Sequence, residues 1–260
     1  MRPRTKRADW ATYVQGFHDQ RPGITEAVLT RCTSHDQDPY QWLTAGLPPG
    51  VVLDLACGNA PTRRHVGPGW IGLDRNRTEL RYAAERTIGR AVVGDLVRLP
   101  ARDGSCDAVI CSMALMLVEP LSDALREIRR VLCADGVAHF LLPSRGPLTA
   151  RDRARYASLG IALRTTTLFP ESPLDRDPAS YLEQARFEVI ADDIRRFAYP
   201  IHNHDDANLL VDSLYLPAVT EERRTEAQRL AARWTRHGLG VPFRLITARR
   251  GPDPVTGRPR

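Results

Sequence analysis

The chain has 260 residues, enough for one sizeable α/β domain with appended helices or for two small domains, and one decorated domain is the simpler reading. With 42% hydrophobic and 26% charged residues its composition is neither disordered nor membrane-spanning, and its longest apolar run, 108–118, is too short to cross a bilayer. The net charge of +6 is carried by arginine, Lys6 being the only lysine; the arginines sit among acidic neighbours, as in Glu221-Glu222-Arg223-Arg224, rather than in a basic patch interleaved with aromatics, which argues against a nucleic-acid partner.

The basic start, Met1 to Arg7, runs into Ala8-Asp9-Trp10 instead of the apolar core of a secretory signal, so a cytoplasmic protein without a membrane partner is expected, as monomer or homodimer. The five cysteines form no Cys-x-x-Cys pair and suit reduced, buried thiols. Residues 1–46 read as an N-terminal helical cap: Trp10, Tyr13, Val14 and Phe17 recur at helical spacing, and a second helix starts with Thr25 as its N-cap. From Pro48 to Ser144 strands alternate with helices. The strands are 51–55, 70–74, 90–94, 106–112 and 137–142, and the helices are near 63–66, 78–85 and 123–132, the last capped by a left-handed Gly136. Beyond Pro143 come a helix near 149–159, a connection containing Pro170, Pro173 and Pro178, a helix near 179–185 and a strand at 187–197. Helices near 206–216 and 221–237 and a last strand at 243–248 follow. The pattern predicts an α/β fold with a doubly wound, mostly parallel seven-stranded sheet, an N-terminal helical cap and a helical insertion before the last strand. Its main domain is 47–250, with cap insertions at about 146–185 and 202–238 and a flexible tail at 251–260.

Three carboxylates end three successive strands: Asp54, Asp74 and Asp95. In a parallel sheet such ends meet along one edge, where α/β proteins bind ligands. The plainer reading of Asp54 alone is a helix N-cap, but the trio outweighs it. The turn Ala56-Cys57-Gly58-Asn59-Ala60 lacks a full Gly-x-Gly-x-x-Gly, which disfavours a pyrophosphate and hence a nicotinamide dehydrogenase. Asp74 stands 20 residues after Asp54, the offset of a ribose-binding acid. Asp95 is placed to accept from an exocyclic amine and Asp54 to face an ammonium. An adenosine with a cationic amino acid and no pyrophosphate is S-adenosylmethionine.

The ordered motifs over residues 48–144 resemble the signature of class I S-adenosylmethionine-dependent methyltransferases. They are Asp54-Leu-Ala-Cys-Gly-Asn-Ala60, Asp74, Gly94-Asp95, Cys106 to Ser112, and Leu125 to Leu132 with Ala134-Asp135-Gly136. The resemblance implies a Rossmann-like fold with S-adenosyl-L-methionine as cofactor. It places Ala56, Cys57 and Gly58 at the methionine part, Asp74 at the ribose, Arg75, Asp95 and Leu96 at the adenine, and Ser112 with Met113 below the sulfonium. Tyr13 becomes the N-terminal aromatic that closes the cofactor carboxylate. The family turn carries glycine where this chain has Ala56 and Ala60; alanine is accommodated there if φ is negative. Cys57 and Cys111 read as small buried hydrophobes rather than nucleophiles.

Methyl transfer to a small, partly apolar molecule, such as a secondary metabolite or a quinone-like acceptor, is the expected function, by in-line displacement. A general base is needed only for some acceptors, and the candidates are His18, His202 and Tyr215, with Phe17 expected beside His18 and Tyr215 at the pocket. Histidines 202 and 204 with Asp205 and Asp206 are read as a helix start rather than a metal site. The alternatives are an RNA or protein methyltransferase, or a protein of this fold that uses the cofactor non-reactively, in cyclisation or in binding.

Overall fold

In the computed structural model, residues 7–86, 90–165, 172–175 and 177–252 are described. The expected tail lies outside them from 253 on, as does Pro170 of the proline-rich connection. Seven strands form one sheet: β1 (Val52–Leu55), β2 (Trp70–Asp74), β3 (Arg90–Val93), β4 (Cys106–Ser112), β5 (Leu132–Pro143), β6 (Phe187–Tyr199) and β7 (Leu239–Arg250), in the order β3-β2-β1-β4-β5-β7-β6. β1 to β5 run parallel, while β7 is antiparallel to both β5 and β6. The strand order reverses at β1, so the carboxyl ends of β1 and β4 border the crevice that such sheets offer to a ligand.

Helices cover both faces, which is why β1 is buried along its whole length. Val52, Ala108 and Ile110 face one core with α2 (Ile24–Leu29), α3 (Pro39–Thr44), α7 (Ala150–Leu163), α9 (His204–Asp212) and α10 (Glu221–Ala231). Their neighbours Leu53, Val109 and Cys111 face the other core with α6 (Leu121–Val131) and α8 (Pro178–Gln184). The strand period of two thus divides one sequence between two cores. In α6 the buried residues Leu121, Ala124, Leu125, Ile128 and Val131 form a helical stripe. Burial of Leu125 and Ile128 contributes about 1.5–3 kcal/mol each.

Two expected caps are corrected. Gly136 does not cap α6; the helix ends where Leu132 turns extended (φ −68°, ψ 138°), and Gly136 lies inside β5. Five residues of strand therefore replace the expected turn, because Leu132 is already paired with Cys106 across a bulge. Thr25 does not cap α2 either. Gly23, at φ 75°, precedes the helix, and no side chain accepts from its first turn. By contrast Thr149 and Asp152 make a reciprocal capping box on α7. Asp152 also accepts from Arg196 at 2.7 and 3.0 Å and from the amide of Gly240 at 2.8 Å, which pins α7 to β6 and β7.

α1 (Arg7–Gln20) and the loop that follows α9 meet over the carboxyl ends of β1 and β2, where Val14, Phe17, Ile24 and Tyr215 pack as a small separate cluster. α4 (Arg63–Val66) and α5 (Arg77–Arg86) follow β1 and β2 directly.

Candidate active site

The turn after β1 is held by its own backbone and by β2. Cys57 N donates to Leu73 O (3.0 Å), Gly58 N to Asp74 Oδ2 (2.8 Å) and Ala60 N to Cys57 O (2.9 Å). The alanine expectation is corrected: Ala56 (φ 52°) and Ala60 (φ 64°) are left-handed, as is Gly58 (φ 53°). Each alanine carries a left-handed penalty of about 1–2 kcal/mol, outweighed by the bonds that fix the turn. Opposite the turn, a Cβ on Gly72 would meet Trp70 at 2.3 Å and Cys57 Sγ at 2.7 Å, so only glycine lets β2 approach this closely.

Asp54, Asp74 and Asp95 line a single cavity of about 180 Å³, together with Ala56, Cys57, Gly58, Arg75, Leu96, Ser112 and Met113. Asp54 is only 1% exposed. Its Oδ2 accepts from the Thr62 hydroxyl and from Trp70 Nε1 (3.1 Å), yet burial outweighs these donors and pushes its carboxyl up to about 7, with the Asp74 charge adding to the rise. Asp74 accepts from Gly58 N and, at 2.7 Å, from Asn76 N, and burial raises its pKa against those bonds. Asp95 is exposed at the rim and accepts from Val97 N at 3.2 Å. Burial also pushes the thiols of Cys57 and Cys111 upward, that of Cys111 to about 12, so both stay protonated and unreactive.

The cavity is acidic. Glu26, Asp54, Asp74, Glu79, Asp95 and Glu119 line it, against Arg75 as its lining arginine. Ser112 Oγ is, among the described residues, the buried side-chain polar atom without a hydrogen-bond partner. It stands at the carboxyl end of β4, just before Met113, whose backbone is left-handed (φ 56°).

His18 and Tyr215 both line this cavity. His18 Nε2 lies 2.9 Å from the Tyr215 hydroxyl, and Nδ1 lies 2.8 Å from Glu79 Oε1. Three other expectations are corrected. Tyr13 does not line the cavity; its hydroxyl accepts from Leu216 N at 2.8 Å and its ring packs on Trp10 and Phe17, because α1 turns Val14, Gln15 and His18 inward instead. Phe17 is 3% exposed and supports Tyr215 from behind, ring centroids 4.9 Å apart. His202 is exposed and away from the cavity, in the loop that enters α9. Asn203 caps that helix and Asp206 accepts from His202 N, so the segment is committed to helix initiation. Among the described residues no group of three or more His, Cys, Asp or Glu is arranged to hold a metal ion.

Glu79 was absent from the sequence reading, although Asn76-x-x-Glu79 has the form of a capping box. Asn76 Oδ1 accepts from Glu79 N at 3.0 Å, which is half of the box. The return bond is missing because Asp74 already takes the Asn76 amide, and the Glu79 carboxylate is thereby released to reach His18 and Gly23 N (3.0 Å).

A second cavity, of about 640 Å³, adjoins the first and shares Thr25, Met113 and Tyr215 with it. Its walls are mainly apolar, including Val28, Met116, Leu159, Leu210, Leu214 and Phe243.

The sheet order, with one antiparallel strand in an otherwise parallel array and the acidic crevice at its switch point, defines a Rossmann-like methyltransferase fold. Residues 53–140 match the family described as a methyltransferase domain. Over 105 residues the chain is 36% identical to the demethylmenaquinone methyltransferase of Mycolicibacterium gilvum, covering 38% of this chain and 46% of that protein. Over 126 residues it is 32% identical to ribosomal RNA-processing protein 8 of Caenorhabditis briggsae, covering 48% of this chain and 33% of that protein. The chain thus spans less than half the length of these curated relatives. A putative methyltransferase of Bacillus halodurans superposes with a TM-score of 0.57 at 17% identity, over 82% of this chain and 99% of that one, a likeness of fold. Residues 53–140 thus carry the pattern of a methyltransferase domain, on a fold like that of class I S-adenosylmethionine-dependent methyltransferases.

Proposed function

We propose that the chain transfers a methyl group from S-adenosylmethionine to a small, partly apolar acceptor of the secondary-metabolite or quinone type. The observation that carries this reading is the pairing of two cavities of opposite character through Met113, Thr25 and Tyr215. The smaller one presents six carboxylates to a ligand that carries a sulfonium and an ammonium, and its unpartnered Ser112 hydroxyl offers a polar contact beside the methyl. When bound, the donor supplies an electrophilic methyl on a positively charged sulfur. Asp74 would hold the ribose, Asp95 and Leu96 the adenine, and the amides of the left-handed turn the methionine end. The larger, apolar cavity would align the acceptor and exclude water, which for an in-line displacement is a large part of the rate.

The decisive experiment has two parts. Calorimetry with S-adenosylhomocysteine reports on the donor site, and labelled donor incubated with cell extract, fractionated by mass spectrometry, reports on the acceptor. Label in a low-molecular-weight apolar product is the expected result. Label in RNA or protein would replace this acceptor class with a polymeric one, and unlabelled turnover would sink methyl transfer.

A further inference from the structure

The hydrogen-bonded row Tyr215, His18, Glu79 joins three parts of the chain: the loop after α9, α1 and α5. Its polarity follows from its acidic end. The Glu79 carboxylate accepts from Nδ1–H, so in the neutral imidazole Nε2 is the lone-pair nitrogen and the Tyr215 hydroxyl donates to it. Tyr215 lines both cavities and so stands where acceptor and methyl would meet. Phe17 backs its ring, and Glu79 is anchored independently by Gly23 N.

Resting on the methyl-transfer reading, we propose that this row is a proton relay and that the acceptor attacks through a hydroxyl. As the acceptor oxygen gains the methyl, its O–H bond breaks and the proton passes to the Tyr215 oxygen, while the Tyr215 proton moves to His18 Nε2. The electron pair of the broken carbon–sulfur bond stays on sulfur, and the new imidazolium is balanced by Glu79 before its proton leaves to solvent. Burial pushes the Tyr215 pKa upward, which suits a conduit that is never itself left as an anion. The charged and titratable groups facing the pair are Glu79 on α5, Asp74 at the end of β2 and Tyr13 on α1. In this scheme Tyr215 is the catalytic residue, and His18 and Glu79 are positioning residues behind it.

The test uses 4-nitrophenol, whose ionised form absorbs near 400 nm, as a spectroscopic stand-in for the acceptor on protein saturated with S-adenosylhomocysteine. An apolar cavity alone raises a phenol's pKa, whereas a base at its oxygen lowers it. The expected result is saturable binding with the apparent pKa lowered by about one unit in the wild-type protein. In Tyr215→Phe, which keeps the ring on Phe17, the pKa should rise above its value in buffer, and His18→Gln should behave likewise. Equal ionisation in wild-type protein and both variants, or no saturable binding, would overturn the relay. Absence of S-adenosylhomocysteine binding with the nitrophenol shift intact would instead overturn the donor assignment, so the two failures are separate.

Discussion

Asp54→Asn isolates the cost of keeping a carboxylate under the β1 turn. Asp54 is fully enclosed, and its folded-state pKa is raised from 3.8 to about 7. The folded protein therefore holds this proton more tightly than the unfolded chain. Its contribution is fully present below about pH 4 and is lost as pH rises through 7. A gap of three units at about 1.4 kcal/mol each makes the swing about 4 kcal/mol between pH 4 and 8. Asparagine keeps an acceptor for Trp70 Nε1 and the Thr62 hydroxyl but does not titrate, so the swing should vanish in the variant. Urea denaturation of both proteins at intervals from pH 4 to 8 measures this directly. The variant should gain on the wild-type protein as pH rises, by several kcal/mol at pH 8. Parallel stability curves would refute the assignment of the pH dependence to Asp54.

The other predictions concern the turn, the donor site and the α7 clamp. Asp74→Asn should weaken S-adenosylhomocysteine binding by roughly 1.5–3 kcal/mol, the scale of hydrogen bonds to a charged group, and unchanged calorimetric affinity would remove Asp74 from the site. Ala60→Gly should raise stability by about 0.5–1 kcal/mol, the left-handed penalty relieved less the added freedom of the unfolded chain; a loss on chemical denaturation would contradict the φ of 64°. Asp152→Ala should cost about 2–4 kcal/mol, since it leaves Arg196 and the Gly240 amide without their acceptor. The Arg196 interaction holds the Asp152 carboxyl well below the usual range, so its contribution is present above about pH 4 and is lost as pH falls below that. The variant and wild-type proteins should therefore converge in stability under acid.

The sequence by itself determined the sheet and the placing of three carboxylates. Strands such as Val52–Leu55 and Cys106–Ser112 are bounded by turns, and the ends of parallel strands meet wherever the helices between them lie. Local chemistry was also sufficient for the buried, unreactive thiols of Cys57 and Cys111. What only the tertiary structure decided was every contact between distant segments. Tyr13 and His18 stand on one helix, and their spacing cannot say which side chain the sheet edge receives; packing on Tyr215, 197 residues after His18, sends the histidine into the cavity and the tyrosine to Leu216. Glu79 was hidden for a related reason. Its motif promised a local bond to Asn76, and it is competition from Asp74, a strand residue, that frees it for His18. The left-handed alanines belong to the same class: a φ that costs energy locally is set by bonds to β2, which no reading of the turn in isolation contains.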